Sequence, residues 1–292
     1  LVIGKVKDSY VFASETCALD IIGAKYIRDV ENGEIVCIEN GKLQSLKPFP
    51  AKKIRPCVFE YIYFSRPDSI LNGECAYEYR KRLGIELAKE SNIDADVVVP
   101  VPDSGNAAAI GYSKHSGINF ELGIIRNHYV GRTFIEPAQK IRSLGVKLKL
   151  NANKSSIKNK KIVLVDDSLV RGTTSYKIVN MLYDAGAKEV HLRIASPEIK
   201  FPDFYGVDMP TKKELLAAKK TVDEICKYIN AKSLKFLSID GLYKAIGFES
   251  RNKTYPQLTD HYFTGEYPVK PIDELGDNKI TQLSLLSSAS NN

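Results

Sequence analysis

"IVLVDDSLVRGTTS", residues 162–175, sets two acids after four apolar residues and ends on an arginine, a glycine and three hydroxyls. The unbroken apolar run reads as a strand buried on both faces, the kind found in parallel sheets covered by helices. Carboxylates repel phosphates. A site holding both acids and phosphate-type donors therefore either places a metal between them or reads a ligand with hydroxyls at one end and phosphate at the other. Successive residues on a strand point to opposite faces, so Asp166 and Asp167 converge only if the strand has ended there. Otherwise one of them forms a turn and the other caps a helix.

The residues that follow bear on the choice. Gly172 permits close backbone approach, and Thr173, Thr174 and Ser175 bring hydroxyls to a helix start, where the macrodipole favours an anion. "VRGTTS" thus reads as a monophosphate cradle. It is neither GxxxxGK[ST] nor GxGxxG.

Outward from this stretch, strands and helices alternate. "DVVVPVP" (96–102), "FELGIIR" (120–126), "KIVLVDD" (161–167) and "KEVHLRIAS" (188–196) read as strands, and "CVFEYIYF" (57–64) has a similar strand-like texture. Helices are expected over 75–91, through "NAAAIGYSKHSG", over "TSYKIVNMLYDAGA" with Ile178, Val179, Leu182 and Ala185 on one face, and over 211–229 behind a Thr211–Glu214 capping box. The fold class expected is α/β, a doubly wound parallel sheet with its ligand at the carboxyl ends of the strands. Before it, "EIVCIENGKLQSL" (34–46) is a hairpin turned by Asn40-Gly41, closing an antiparallel region. "KPFPAKKIRP" (47–56) reads as a linker, and the residues from about 276 as a disordered tail.

The 292 residues are 43% hydrophobic and 26% charged, ordinary for a globular protein. No apolar run reaches the ~18 residues of a membrane span, and no signal-peptide pattern opens the chain. The cytoplasm is the expected compartment. Five cysteines without CxxC spacing read as buried free thiols rather than a disulfide framework. Between Lys114 and Lys161 eleven Lys or Arg face only Glu121 and Glu136, a charge suited to an anionic partner, either nucleic acid or a polyphosphate. A merely solvated lysine-rich face is the plainer alternative.

"VLVDDSLVRGTTS" resembles the PRPP-binding signature of type I phosphoribosyltransferases. "CVFEYIYFSRPDS" (57–69), "VPVPDSGNAAAIGY" (99–112), "RNHYVGRTFIEPAQKIRSLGVKLKLN" (126–151) and "PEIKFPDFYGVDMPTKKELLA" (197–217) resemble, in order and spacing, the glutamine phosphoribosylpyrophosphate amidotransferases. The resemblance runs through residues 9–248. It implies a remnant of an N-terminal-nucleophile glutaminase domain over 1–50, a phosphoribosyltransferase domain over 51–250 and an extension over 251–292. It also implies the first committed step of purine synthesis: ammonia displaces pyrophosphate from PRPP at ribose C1 through an oxocarbenium-like transition state. A base-specific phosphoribosyltransferase and a PRPP-sensing nucleic-acid-binding regulator are the rival readings. No DNA-binding motif accompanies the basic segment.

Carried over position by position, the resemblance implies the following roles. Asp166 and Asp167 meet the ribose hydroxyls, with Ser168, Arg171, Gly172, Thr173, Thr174 and Ser175 at the 5′-phosphate. Asp103, Ser104 and Gly105 form the pyrophosphate loop, and Asp208 lies near the ribose. Ser104, Asp166 and Asp167 are the Mg²⁺ ligands. Arg126, Tyr129 and Arg132 belong to a basic flap that closes over the substrate, with His128 where relatives carry a basic residue. Partners implied are PRPP with ammonia or glutamine and further copies of the chain, with no nucleic acid and no membrane. Some relatives hold a four-iron cluster through cysteines. Here Cys57 matches one ligand, while Asp203, Thr259 and Tyr262 stand at the others, so no iron–sulfur cluster is expected. Because the chain opens with Leu1 and lacks a leading Cys, it is expected to be a fragment that uses free ammonia and has no glutaminase activity.

Overall fold

The computed structural model describes residues 1–50, 52–127, 150–207, 209 and 211–269. The chain opens with antiparallel strands. β1 (Val2–Val6) lies between β2 (Ser9–Ala13) and β3 (Lys25–Asp29), with α1 (Thr16–Ile21) packed over them through the buried Cys17 and Leu19. β4 (Ile35–Glu39) and β5 (Lys42–Leu46) form the expected hairpin, and Asn40 and Gly41 have φ of 50° and 73°. Both positive values are what a type I′ turn requires.

The segment after the linker corrects one expectation. Residues 57–64 form a helical turn, π-type over Glu60–Phe64, rather than a strand. Its buried residues are Val58, Phe59, Tyr61 and Ile62. The spacing i, i+1, i+3, i+4 is helical, and a run apolar at nearly every position concealed it. Short strands β6 (Ile70–Leu71) and β7 (Glu74–Cys75) lead into α2 (Ala76–Ser91).

The centre is a four-stranded parallel sheet. Its strands are β8 (Val97–Pro100), β11 (Lys161–Asp166), β12 (Glu189–Ile194) and β13 (Ser233–Phe236), in the order β13-β12-β11-β8. Registers Val163↔Val98 and Asp166↔Ile194 align their carboxyl ends. Alternate side chains enter two cores. Ile162, Leu164, Val190 and Leu192 pack with Ile178, Val179 and Leu182 of α5 (Thr173–Asp184) and with Ile225 and Ile229 of α6 (Val222–Ile229). Val163 and Val165 pack with Leu83 and Leu87 of α2, Tyr112 of α3 (Asn106–Ser116) and Leu242 of α7 (Ile239–Ile246). Each such side chain contributes about 1.5–3 kcal/mol on burial.

Glycines bring α2 and α3 into close contact. A Cβ on Gly84 would stand 1.9 Å from the Ala108 carbonyl oxygen, and one on Gly111 the same distance from that of Lys81. The run 120–126 makes a single parallel bridge, Phe120 to Val98 of β8, and then forms β9 (Ile124–Arg126). It pairs antiparallel with β10 (Leu150–Ala152) outside the central sheet, ahead of the short α4 (Lys154–Ile157). Residues 211–229 do not form one helix: α6 starts only at Val222, behind a capping box of Thr221 and Glu224. The preceding turns are held away from a helical path because the Leu216 amide donates to the Val170 carbonyl and Leu215 is buried. Among the cysteines only Cys17 is buried; Cys37 is exposed, and none forms a disulfide.

The last helix among the described residues, α8 (His261–Thr264), returns to the start of the α/β unit. Cys57 bridges Thr259 in parallel, the Thr259 hydroxyl donates to the Arg55 carbonyl at 2.8 Å, and Cys57 Sγ lies 3.3 Å from Tyr262 Oη. Within the same clip, buried Asp260 accepts from Arg251 Nε at 2.6 Å and from Tyr243 Oη at 2.8 Å. Among the described residues no helix is long and apolar enough to cross a membrane.

Candidate functional site

β8 and β11 are neighbours, so the loops leaving their carboxyl ends stand side by side. Each loop enters a helix whose first turn has no side-chain cap. Gly105 is the N-cap of α3 and Gly172 that of α5. First-turn N–H groups without a side-chain cap, together with the helix dipoles, make a pair of anion cradles. Gly105 is required by contact: a Cβ there would sit 2.4 Å from the Val165 carbonyl oxygen and 2.9 Å from that of Val101. Gly172 is required by conformation as well, with φ of 72° and Leu216 Cδ2 at 2.6 Å from a Cβ. Asn106, the first residue of α3, has a buried Oδ1 with no hydrogen-bond partner.

Between the cradles lie the two acids. β11 ends at Asp166, and the chain turns so that Asp166 and Asp167 are both buried, at 8% and 6% exposure. Asp166 Oδ1 accepts the Asp167 N–H at 2.9 Å, Ser168 Oγ donates to Asp167, and the Ser104 hydroxyl lies beside both carboxyls. Burial, reinforced by the charge of Asp167, pushes Asp166 well above the usual carboxylate range. Burial raises Asp167 too, against the pull of Ser104, Ser168 and the nearby Arg80.

Two buried acids without a salt bridge require protons, hydroxyl donors or a cation. This donor set fits Mg²⁺: hard oxygen ligands from Ser104, Asp166 and Asp167, with remaining positions left for a bound ligand's oxygens. Among the described residues no group of three or more His, Cys, Asp or Glu could hold a metal by itself.

The other expected residues divide. Thr173 and Thr174 are exposed on the first turn of α5, whereas Ser175 is buried beneath it. Arg171 extends to Glu214, 3.0 Å away. Asp103 and Arg126 form an ion pair with each other. His128, Tyr129, Arg132 and Asp208 lie outside the described residues, as does the tail from about 276. Arg80 escaped sequence reading. Buried on α2, it donates to the carbonyls of Tyr61 at 3.1 Å and Ser65 at 2.6 Å, and burial lowers its pKa. A lone arginine amid a charged helix carries no signal of burial in its sequence.

Away from this site, Cys57, Asp203, Thr259 and Tyr262 gather around buried His261, whose Nε2 is 2.9 Å from Asp203 Oδ1. Burial pushes the Cys57 thiol and the Tyr262 phenol up and holds His261 down, toward the neutral ring. One thiol with a carboxylate, a hydroxyl and a phenol does not fit a cluster held by thiolates.

No family model matches the chain. It is 58% identical over 294 residues to the amidophosphoribosyltransferase of Rhizobium etli, covering 99% of this chain and 59% of that protein. It is 49% identical over 270 residues to the Bacillus subtilis amidophosphoribosyltransferase, covering 92% of this chain and 56% of the relative. A solved structure described as glutamine phosphoribosylpyrophosphate (PRPP) amidotransferase from B. subtilis, complexed with ADP and GMP, superposes with a TM-score of 0.85 at 48% identity. It covers 94% of this chain and 60% of the other. The chain thus spans somewhat more than half the length of the relatives it matches.

Proposed function

Because the chain is homologous over nearly all of its length to the amidophosphoribosyltransferases, we propose that it carries the transferase site for the first committed step of purine synthesis. In this reaction ammonia displaces pyrophosphate from PRPP and leaves 5-phosphoribosylamine. The observation that carries the proposal is the two-ended grip: uncapped helix starts at Gly105 and Gly172 on adjacent strands, with Asp166 and Asp167 buried between them. A ligand phosphorylated at both ends of a diol-bearing sugar matches that order of groups.

In this reading the first turn of α5, Thr173 to Ser175, holds the 5′-phosphate, and the loop Ser104–Asn106 holds the pyrophosphate. Asp166 and Asp167 accept hydrogen bonds from the ribose hydroxyls and fix the ring. Their negative charge favours the cationic character that develops at C1 as the glycosidic C–O bond breaks. The electron pair of that bond leaves with pyrophosphate, and the attacking ammonia gives up a proton after the C–N bond forms. No side-chain nucleophile takes part. Ser104, Asp166 and Asp167 would hold Mg²⁺, which would supply charge neutralisation for the leaving diphosphate. Glutamine as the source of ammonia in the whole protein, assembly as a homo-oligomer, and the division into residues 1–50, 51–250 and 251–292 belong to the same proposal.

The test is pyrophosphate release from PRPP with ammonium and Mg²⁺. Release that needs ammonium and falls roughly 100-fold in Asp166→Asn is expected. Release only when a purine or pyrimidine base is added would replace this reading with a base-specific transferase.

A further inference from the structure

The loop after β8 and the end of β9 are joined by an ion pair that the proposed chemistry does not use. Arg126 Nη1 lies against Asp103 Oδ2, with the side chains 47% and 49% exposed. Asp103 directly precedes Ser104, and its carbonyl accepts the Asn106 N–H at 3.3 Å, so it belongs to the uncapped start of α3. Arg126 is the last residue of β9, paired in register with Leu150.

This placement is electrostatically contradictory for an anion cradle. A carboxylate beside a phosphate-binding turn repels the ligand, and it also occupies a guanidinium fork that would otherwise face the same turn. Both side chains are half in water, so the pair is weak and can be exchanged. A lone phosphate can take the fork with two oxygens only by leaving the turn, so it gains little by competing with the carboxylate for Arg126. A diphosphate presents more charge and can keep one phosphoryl group on the turn while the other takes the fork.

We propose that Asp103 is a specificity-determining residue acting through Arg126: it holds the guanidinium as a counter-ion that a diphosphate group can displace and a lone phosphate cannot. The inference rests on the reading of the Ser104 loop as the diphosphate end of the site. Asp103 is on this view a positioning residue, and Arg126 the group that transfers to the ligand. It also makes the sequence-based placement of Asp103 among the ligand-binding residues more specific, since the carboxylate tunes the loop without touching the ligand.

The experiment is calorimetric titration with pyrophosphate and with inorganic phosphate, each with Mg²⁺, of the whole chain and its Asp103→Asn, Arg126→Gln and doubly substituted forms. Asp103→Asn is expected to tighten phosphate binding about three- to fivefold, the upper range for an exposed ion pair, and to tighten pyrophosphate less, so that the preference narrows. In the Arg126→Gln background the same substitution should leave the preference unchanged. With PRPP as substrate, Asp103→Asn should lower KM without raising kcat. An unchanged preference in Asp103→Asn overturns the proposal, as does an equal effect in the Arg126→Gln background, which would indicate direct repulsion. If the unsubstituted chain binds pyrophosphate but the variants show no coupling, this inference alone falls. If it binds neither pyrophosphate nor PRPP, the reading of the site itself falls with it. Thermal melting of each variant separates these outcomes from loss of fold, which half-exposed positions should not cause.

Discussion

Gly105 sits where backbone must pass within van der Waals contact of backbone, and no rotamer change can relieve a Cβ that meets two carbonyl oxygens. Gly105→Ala should therefore displace the Ser104 loop and cost PRPP affinity at least roughly tenfold, about 1.4 kcal/mol, measurable by calorimetry. Asp166→Asn should lower kcat/KM roughly 100-fold, about 2.7 kcal/mol, while leaving the fold intact. Such residues were legible because acids after an apolar run and a glycine before hydroxyls are local patterns. The pairing of Arg171 with Glu214 was not, since the two are 43 positions apart. Arg80 and His261 were not either, because burial of a polar side chain depends on contacts that no neighbouring residue announces. Glu34 offers a pH test. The Arg28 guanidinium, the Ser45 hydroxyl and the Glu31 N–H hold its carboxyl down at about 2 from an ordinary 4.5. A depressed carboxylate stabilises above its unfolded pKa, so its contribution is complete above pH 4.5 and is lost as pH falls toward 2. NMR of the 35–46 hairpin should show this loss in the unsubstituted chain and not in Glu34→Gln.

At the level of elements, β8, β11, β12 and their crossover helices were legible because β8 and β11 hold unbroken apolar runs, β12 sets an apolar residue at every second position, and the helices between them carry one apolar face. The failures share a cause. Residues 57–64 are apolar on nearly every position, so neither a two-residue nor a 3.6-residue period stands out. Residues 211–229 contain two Thr-x-x-Glu boxes, at Thr211 and Thr221, and the tie of Leu216 to Val170 selects the second. The α2–α3 contact was invisible, since Gly84 and Gly111 read as helix-weakening residues rather than as sites of close approach. Gly84→Ala should force the helices apart and cost about 2–3 kcal/mol, seen as a lower midpoint in urea. Because both helices cover the face of β8 and β11, the same variant should also loosen the Ser104 loop.

Across the whole molecule, the antiparallel strands and the α/β unit meet at a small polar joint. Glu15 Oε2 accepts from the Arg66 N–H at 2.7 Å and from Ser69 Oγ at 2.6 Å, and Thr16 Oγ1 accepts the Ile70 N–H at 2.8 Å. Glu15→Ala should free the first 46 residues to limited proteolysis while the melting of the central sheet stays put. The clip formed by Arg55, Cys57, Thr259 and Tyr262 has a different reach. It joins segments about two hundred positions apart, so the start of the α/β unit is held by contacts that arrive late in the chain. During synthesis the early helices and β8 emerge long before their closing partners. The clip can close only once the residues near 262 have left the ribosome, and until then the aromatic surface of residues 57–64 lacks its cover.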